Sequence, residues 1–313
     1  MTKPYQDVWV KGRMVSAGVR ECAERYALIR SFCSQYRRPF TVLDVGAADG
    51  YFAIRLAEDF PDCTVAAVEP RQRIGVVLRQ NEAERVLWLQ VKLAVDDLRI
   101  LAEVEHFDVT LALSVIHWMN QPPEESLAIL RGLGDHLILE LPVEDTACGQ
   151  EVVREIETPA DGILLGYGQS HLDATARRPI YLLSQEKTCL ARSYWDSPYP
   201  SLARIDSSFD AKTFRKGKKL AYPWMRGINL QTFLSLNGVW PSREHVARCV
   251  QAAYERFGGP HGDLSPWNII WQGDHAVLID PKPQRKRAMA DAEVLERLVA
   301  KIMGKARDEK CAG

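Results

Sequence analysis

The pattern of this chain predicts an α/β fold, a parallel sheet wrapped by helices, followed by a smaller α+β domain. Three observations predict it. Helical and strand periodicities alternate from about residue 20 to 140. A glycine-bearing turn, VLDVGAADGYF (42 to 52), interrupts the first strong apolar run, and an acid, Glu69, closes the next one. The regularity then lapses into an aromatic, Pro- and Ser-containing stretch, SYWDSPYPSLARIDSSFD (193 to 210).

Taken in order, ECAERYALIRSFCSQY has apolar residues at helical spacing, TVLDVG is a short apolar run ending in glycine, and GYFAIRLAEDF returns to helical spacing. TVAAVEP, VLWLQVKLA and FDVTLALSVIHW predict further strands, with RIGVVLRQNEA as an intervening helix. EESLAILRGL and HLILELP continue the alternation, which implies parallel strands joined by crossover helices. PADGILLGYGQSHLDATARRPIYLLS predicts loops and late strands of the first domain. The connector divides the chain into domains of 1–198 and 199–313. Beyond it come the basic FRKGKKL, a helix from about 242 to 257, the loop HGDLSPWN, the strand HAVLID and a charged terminal helix from about 288 to 307.

The 313 residues suit two modest domains, each able to bury its own core. Forty Lys and Arg nearly balance 41 Asp and Glu, so no global field favours a nucleic-acid acceptor, and any anionic substrate must be held locally. Seven Cys, scattered and never in C-x-x-C, argue for a reducing compartment. No long apolar run follows the N-terminal charges and none could span a bilayer, so the expectation is a cytoplasmic protein.

At the turn, Asp44 ends a strand while Gly46 and Gly50 flank the entry to a helix, where a ligand can approach the backbone closely. Asp44 suits a nearby ammonium, and Glu69 can accept two hydrogen bonds from ribose hydroxyls, which together favour a zwitterionic nucleoside. Over roughly residues 20 to 190 the chain resembles the class I S-adenosylmethionine-dependent methyltransferases. Their first motif, D-x-G-x-G-x-G, stands here as D-V-G-A-A-D-G, with Ala48 at the middle glycine. The resemblance implies a Rossmann-like sheet. It implies a methionine cradle of Asp44, Gly46, Ala48 and Gly50, a ribose contact at Glu69, and an adenine contact at Asp96 or Asp97. LALSVIHW places Ser114, His117 and Trp118 at the end of the fourth strand, where open α/β sheets bind ligands. His117 could act there as a general base or as a packing or orienting group. In VRECAERY, Arg20, Arg25 and Tyr26 lie just before the first strand, and an Arg there could pair with the methionine carboxylate, or these residues could form a solvated helix face.

HGDLSPWN suggests phosphoryl transfer, with Asp263 orienting an acceptor and Asn268 and Asp280 as magnesium ligands. It resembles the catalytic loop of aminoglycoside and choline phosphotransferases, although I-D-P-K departs from the usual D-F-G and no G-x-G-x-x-G follows the connector. The bland alternative is a loop in which His261 and Asp263 merely buttress one another. A methyltransferase followed by a shortened kinase-like large lobe resembles the bifunctional kinase and methyltransferase proteins that cap bacterial O-antigen chains. That resemblance implies O-methylation of a saccharide or phosphorylated glycan, with S-adenosylmethionine as cofactor. Two alternatives stay open: a second, Mg-ATP-dependent kinase activity, or a non-catalytic binding module at the C-terminus. Small-molecule acceptors are equally compatible, and the apolar face of VLERLVAKIM suits pairing with a second subunit.

Overall fold

The structure, a computed structural model, describes residues 3–92, 94–119, 121–142, 150–154, 162–173, 175–184, 214–216, 219–221, 226–279, 281 and 290–304. It divides into two compact units, Met1–Thr188 with Leu236–Trp240, and Cys189–Ser235 with Pro241–Gly313.

The first unit opens with a hairpin of β1 (Val8–Val10) and β2 (Arg13–Ser16), followed by α1 (Ala23–Cys33). The predicted alternation then follows: β3 (Phe40–Val45), α2 (Tyr51–Asp59), β4 (Cys63–Val68), α3 (Arg73–Asn81), β5 (Val86–Leu89), α4 (Val95–Val104), β6 (Phe107–Leu113), α5 (Pro123–Gly132) and β7 (Gly134–Glu140). These five strands pair in parallel in the order β5, β4, β3, β6, β7. FTVLDV and CTVAAV are buried at every position, because helices cover both faces of a parallel sheet. Beyond β7 the chain returns antiparallel as β8 (Gly162–Gln169) and β9 (Arg177–Ser184), with β9 against β7 and β8 at the edge. The fold class expected from the sequence is therefore found: a Rossmann-like α/β sheet.

The second unit contains a hairpin of β10 (Phe214–Lys216) and β11 (Lys219–Ala221) in the basic stretch, a short β12 (Ile228–Asn229) and α6 (Leu230–Ser235). The chain then passes back into the first unit as β13 (Gly238–Trp240) before continuing as α7 (Arg243–Phe257), β14 (Ile269–Trp271), β15 (Ala276–Leu278) and α8 (Asp291–Ile302). Here β14 pairs antiparallel with both β12 and β15. Ser242 caps α7 by accepting from the His245 amide, and Gly258 ends it in the left-handed conformation. Among the described residues no helix is long and apolar enough to cross a membrane.

The passage of β13 through the first unit departs from the sequence reading. NGVW reads as part of the C-terminal half, yet it pairs antiparallel with β5 at the sheet edge. Gln90 donates its amide to the Asn237 carbonyl at 3.1 Å and accepts from the Asn237 side chain at 3.2 Å. Asn237 has a φ of 46°, and with it the predicted strand VLWLQVKLA stops at Leu89. Trp240 donates its indole N–H to the Ala83 carbonyl at 2.9 Å and packs against the apolar core.

Removing that anchor should loosen the edge. We expect Trp240→Ala to lower stability by about 1–3 kcal/mol, below the full cost of deleting a completely buried Trp, and to speed hydrogen exchange at residues 86–90. Unchanged exchange there would show that β13 adds nothing to the sheet.

Candidate functional site

The site begins where β3 ends. Gly46 and Ala47 donate their amides to the Val68 carbonyl at 2.9 and 3.1 Å, folding the turn across the tip of β4. Gly46, Ala48 and Gly50 all have positive φ, at 76°, 53° and 83°. Gly50 has a second constraint, since a Cβ there would lie 2.9 Å from Ile74 Cγ1. Ala48 donates its amide to Glu69 Oε2 at 2.8 Å, so the turn and the acid are joined directly. Arg71 closes on the same carboxylate, with its amide and Nε at 3.0 and 2.9 Å from Oε1.

A cavity of about 650 Å³ opens above these strand tips. One side is formed by Gly46, Ala48, Glu69 and Arg71, with Lys92 and Ala94 after β5. The other is formed by Tyr5, Ser114, His117, Trp118, His171 and Arg178. These residues meet at the carboxyl ends of the parallel strands, where the chain winds outward from β3 in both directions. Ser114 has a φ of 59°, strained for a non-glycine residue. Its hydroxyl donates to Glu140 Oε2 at 3.0 Å and accepts from Arg20 Nη2 at 3.0 Å and Arg178 Nη1 at 3.3 Å. Trp118 at the rim is 67 % exposed, and its ring centre is 5.1 Å from that of His117.

Of the residues expected from sequence, Gly46, Ala48, Glu69, Ser114 and His117 line the cavity. Gly50 supports the turn from the start of α2. Asp44 lies at the end of β3, buried beside rather than within the lining. Asp96 and Asp97 sit in the first turn of α4, outside the lining, with Asp96 paired to Arg99; Lys92 and Ala94 reach the cavity there instead. Arg25 is also away from the lining. Its guanidinium bonds the Glu21 carbonyl, Cys22 Sγ and Glu140, and lies over the Phe52 ring. Sequence reasoning missed Tyr5, His171 and Arg178 because they come from chain segments far from the glycine turn and carry no local motif. The only advance hint was their chemistry, since polar and aromatic side chains interrupt otherwise apolar segments.

In the second unit the HGDLSPWN loop is tied down by its own side chains. His261 is fully buried, with Nε2 2.9 Å from the Ile279 carbonyl and Nδ1 accepting from the Asp263 amide at 3.2 Å. Asn268 donates its side-chain amide to the Asp263 carbonyl at 2.6 Å, while its buried Oδ1 has no hydrogen-bond partner among the described residues. Asp280 lies outside the described residues.

The electrostatics of the turn are unusual. Burial pushes the Asp44 carboxyl up to about 7, with the charge of Glu69 adding to it and the Ala53 amide and Arg25 opposing. One carboxylate oxygen, Oδ2, has no hydrogen-bond partner among the described residues, as suits a group that faces a ligand's cation. In the unfolded chain an Asp titrates near 3.9. The folded state therefore binds the proton more tightly, and the stability present below about 4 is lost as the pH rises to about 7. Asp44→Asn carries no charge to desolvate. Its stability relative to wild type, measured by urea denaturation, should increase from pH 5 to pH 8; a constant difference would contradict the shift.

Residues 43–137 match the sequence profile of a methyltransferase domain family. No curated protein matches the chain by sequence. Among solved structures, a co-crystal structure of WbdD with the kinase inhibitor LY294002 is 20 % identical, with 90 % of this chain and 80 % of that one covered and a TM-score of 0.49. A structure of the bifunctional kinase-methyltransferase WbdD gives 19 %, 97 %, 85 % and 0.48 for the same quantities. Magnesium protoporphyrin IX methyltransferase from Synechocystis PCC 6803 with bound SAM gives 17 %, 52 %, 78 % and 0.38. Residues 43–137, from β3 into β7, are a methyltransferase domain, and the protein is an enzyme on that ground.

Proposed function

We propose that the protein moves the S-methyl group of S-adenosylmethionine to an oxygen of a saccharide or phosphorylated glycan. The observation that carries this reading is the junction of the glycine turn with Glu69 in one cavity, through the Ala48 amide. Glu69 stands at the cavity wall as the acid that would meet the ribose hydroxyls, and Asp44 keeps a buried oxygen without a hydrogen-bond partner among the described residues, suited to a ligand's ammonium. The exposed indole of Trp118 at the rim supports a ring-shaped acceptor, because aromatic faces stack on the apolar faces of sugars.

Bound S-adenosylmethionine supplies a methyl carbon made electrophilic by its sulfonium. The glycine turn and Glu69 would hold the cofactor, and transfer of its methyl to the acceptor oxygen would exchange the C–S bond for a C–O bond and release the thioether. The protein's work is positioning and exclusion of water. His117, beside the β6 tip, takes the proton when the acceptor is a hydroxyl, a role worth about 10²- to 10⁴-fold in general acid–base catalysis. An ionised phosphate oxygen needs no such step.

A second reading, that the C-terminal loop also binds Mg-ATP, is favoured by the buried and unpaired Oδ1 of Asn268, an oxygen suited to a hard cation. Calorimetric titration with S-adenosylhomocysteine and, separately, Mg-ATP tests both readings. Gly46→Arg should abolish binding of the first ligand by filling the turn. Asn268→Ala should abolish binding of the second if the loop is a nucleotide site. Silence toward S-adenosylhomocysteine in the folded wild type would overturn the methyltransferase assignment of this cavity; silence toward Mg-ATP would leave the loop a structural buttress.

A further inference from the structure

The N-terminal segment is built into the cavity wall. Val19 and Arg20 donate their amides to the carbonyls of Pro4 and Tyr5 at 2.8 and 2.9 Å. Gly18 packs so tightly that a Cβ would lie 2.2 Å from the Gln6 carbonyl carbon. Asp7 accepts from the Gly18 and Cys22 amides at 2.7 and 3.2 Å. Two further bonds join this strap to the glycine turn: the Gln6 amide donates to Asp49 Oδ2 at 2.8 Å, and the Tyr51 amide to Gln6 Oε1 at 3.1 Å. Tyr5 is thereby held beside the turn that the cofactor must touch.

The hydroxyl of Tyr5 has a defined polarity. Arg20 Nη1 donates to it at 3.0 Å, so the phenolic proton must point elsewhere, and no hydrogen bond among the described residues uses it. Arg20 cannot turn away. Its other nitrogen, Nη2, is fixed by Glu140 at 2.6 Å and Ser114 at 3.0 Å, and the side chain is buried. Arg178, also buried, lines the same side of the cavity, and its Nη1 donates to Ser114. The Tyr5 hydroxyl and the Arg178 guanidinium thus both adjoin the Arg20–Ser114 pair just beyond β6.

Sheet order says which end of the cofactor lies there. Ribose at Glu69 places the nucleoside over β4, with adenine toward Lys92 and Ala94 after β5. Neighbouring strands are about 4.8 Å apart, so the amino-acid tail must extend the other way, over β3 and β6. Building on the cofactor assignment above, we propose that Tyr5 and Arg178 form the subsite for the α-carboxylate of that tail. The buried Arg20, Ser114 and Glu140 serve as positioning residues behind it. In this proposal the contact falls to residues of the two flanking segments, since neither Arg20 nor Arg25, the sequence-based candidates, lines the cavity.

The test compares two ligands of the full chain by calorimetry: S-adenosylhomocysteine, and 5′-methylthioadenosine, which keeps adenine, ribose and thioether but lacks the amino-acid tail. The wild type should prefer the first by about tenfold or more, as expected for one or two charge-assisted hydrogen bonds. Tyr5→Phe and Arg178→Gln should each weaken S-adenosylhomocysteine while leaving 5′-methylthioadenosine within about twofold, so that the preference collapses. If Arg178→Gln does not fold, Arg178→Lys, which keeps the charge and loses the planar fork, should give part of the same loss. Equal weakening of both ligands in folded variants, or no preference in the wild type, would overturn the subsite while leaving the cofactor assignment intact. Failure of the wild type to bind either ligand would instead overturn the cofactor assignment and the subsite with it.

Discussion

The carboxylate of Glu140, wholly buried at the end of β7, holds the cavity floor together. Arg20 and Arg25 both pair with it, at 2.6 and 3.5 Å, and Ser114 donates to it. Two guanidinia without that partner would be uncompensated charges in a low dielectric, and breaking a buried pair in this way typically costs about 3–5 kcal/mol. Through these bonds one side chain links the strap before α1, the helix α1 itself and the tip of β6. It also keeps Ser114 in its strained left-handed conformation, helped by the Ser114 amide donating to the Glu140 carbonyl at 3.0 Å.

The opposite half of the cavity rests on a shorter-range device. Glu69 receives the Ala48 amide and is clasped by Arg71, so the acid at the tip of β4 is oriented before any ligand arrives. Such preorganisation lowers the entropy cost of binding. Beneath it Asp44 is held where its charge is costly in the absence of a cation. A protein retains such a cost where a ligand's charge can offset it, which is the common reason for strongly shifted groups at functional sites.

The C-terminal half contributes to this unit in a way that its sequence does not advertise. The GVW segment adds an edge strand to the methyltransferase sheet, covering the open hydrogen-bonding edge of β5. In the second unit, the motif-like HGDLSPWN sets His261 against the Ile279 carbonyl and the Asp263 amide, and the Asn268 amide against the Asp263 carbonyl. These bonds suit a buttressing role, while Asn268 Oδ1, without a hydrogen-bond partner among the described residues, favours a ligand.

Much of one wall of the cavity was legible in the sequence. Gly46, Ala48 and Glu69 are close in the chain, their turn chemistry is local, and continuous apolar runs mark strands buried on both faces. His117 and Ser114 were found for the same reason, since they directly follow such a run. Periodicity and local spacing decide such features without knowledge of the rest of the fold. Tyr5, His171 and Arg178 were not legible, nor was the burial of Arg25 against Glu140 or the addition of Trp240 to the sheet. These depend on strand order and on pairings across tens to more than a hundred residues. Only a folded chain brings a buried charge together with its partner, and the sequence carries the residues for that encounter without saying which of them will meet.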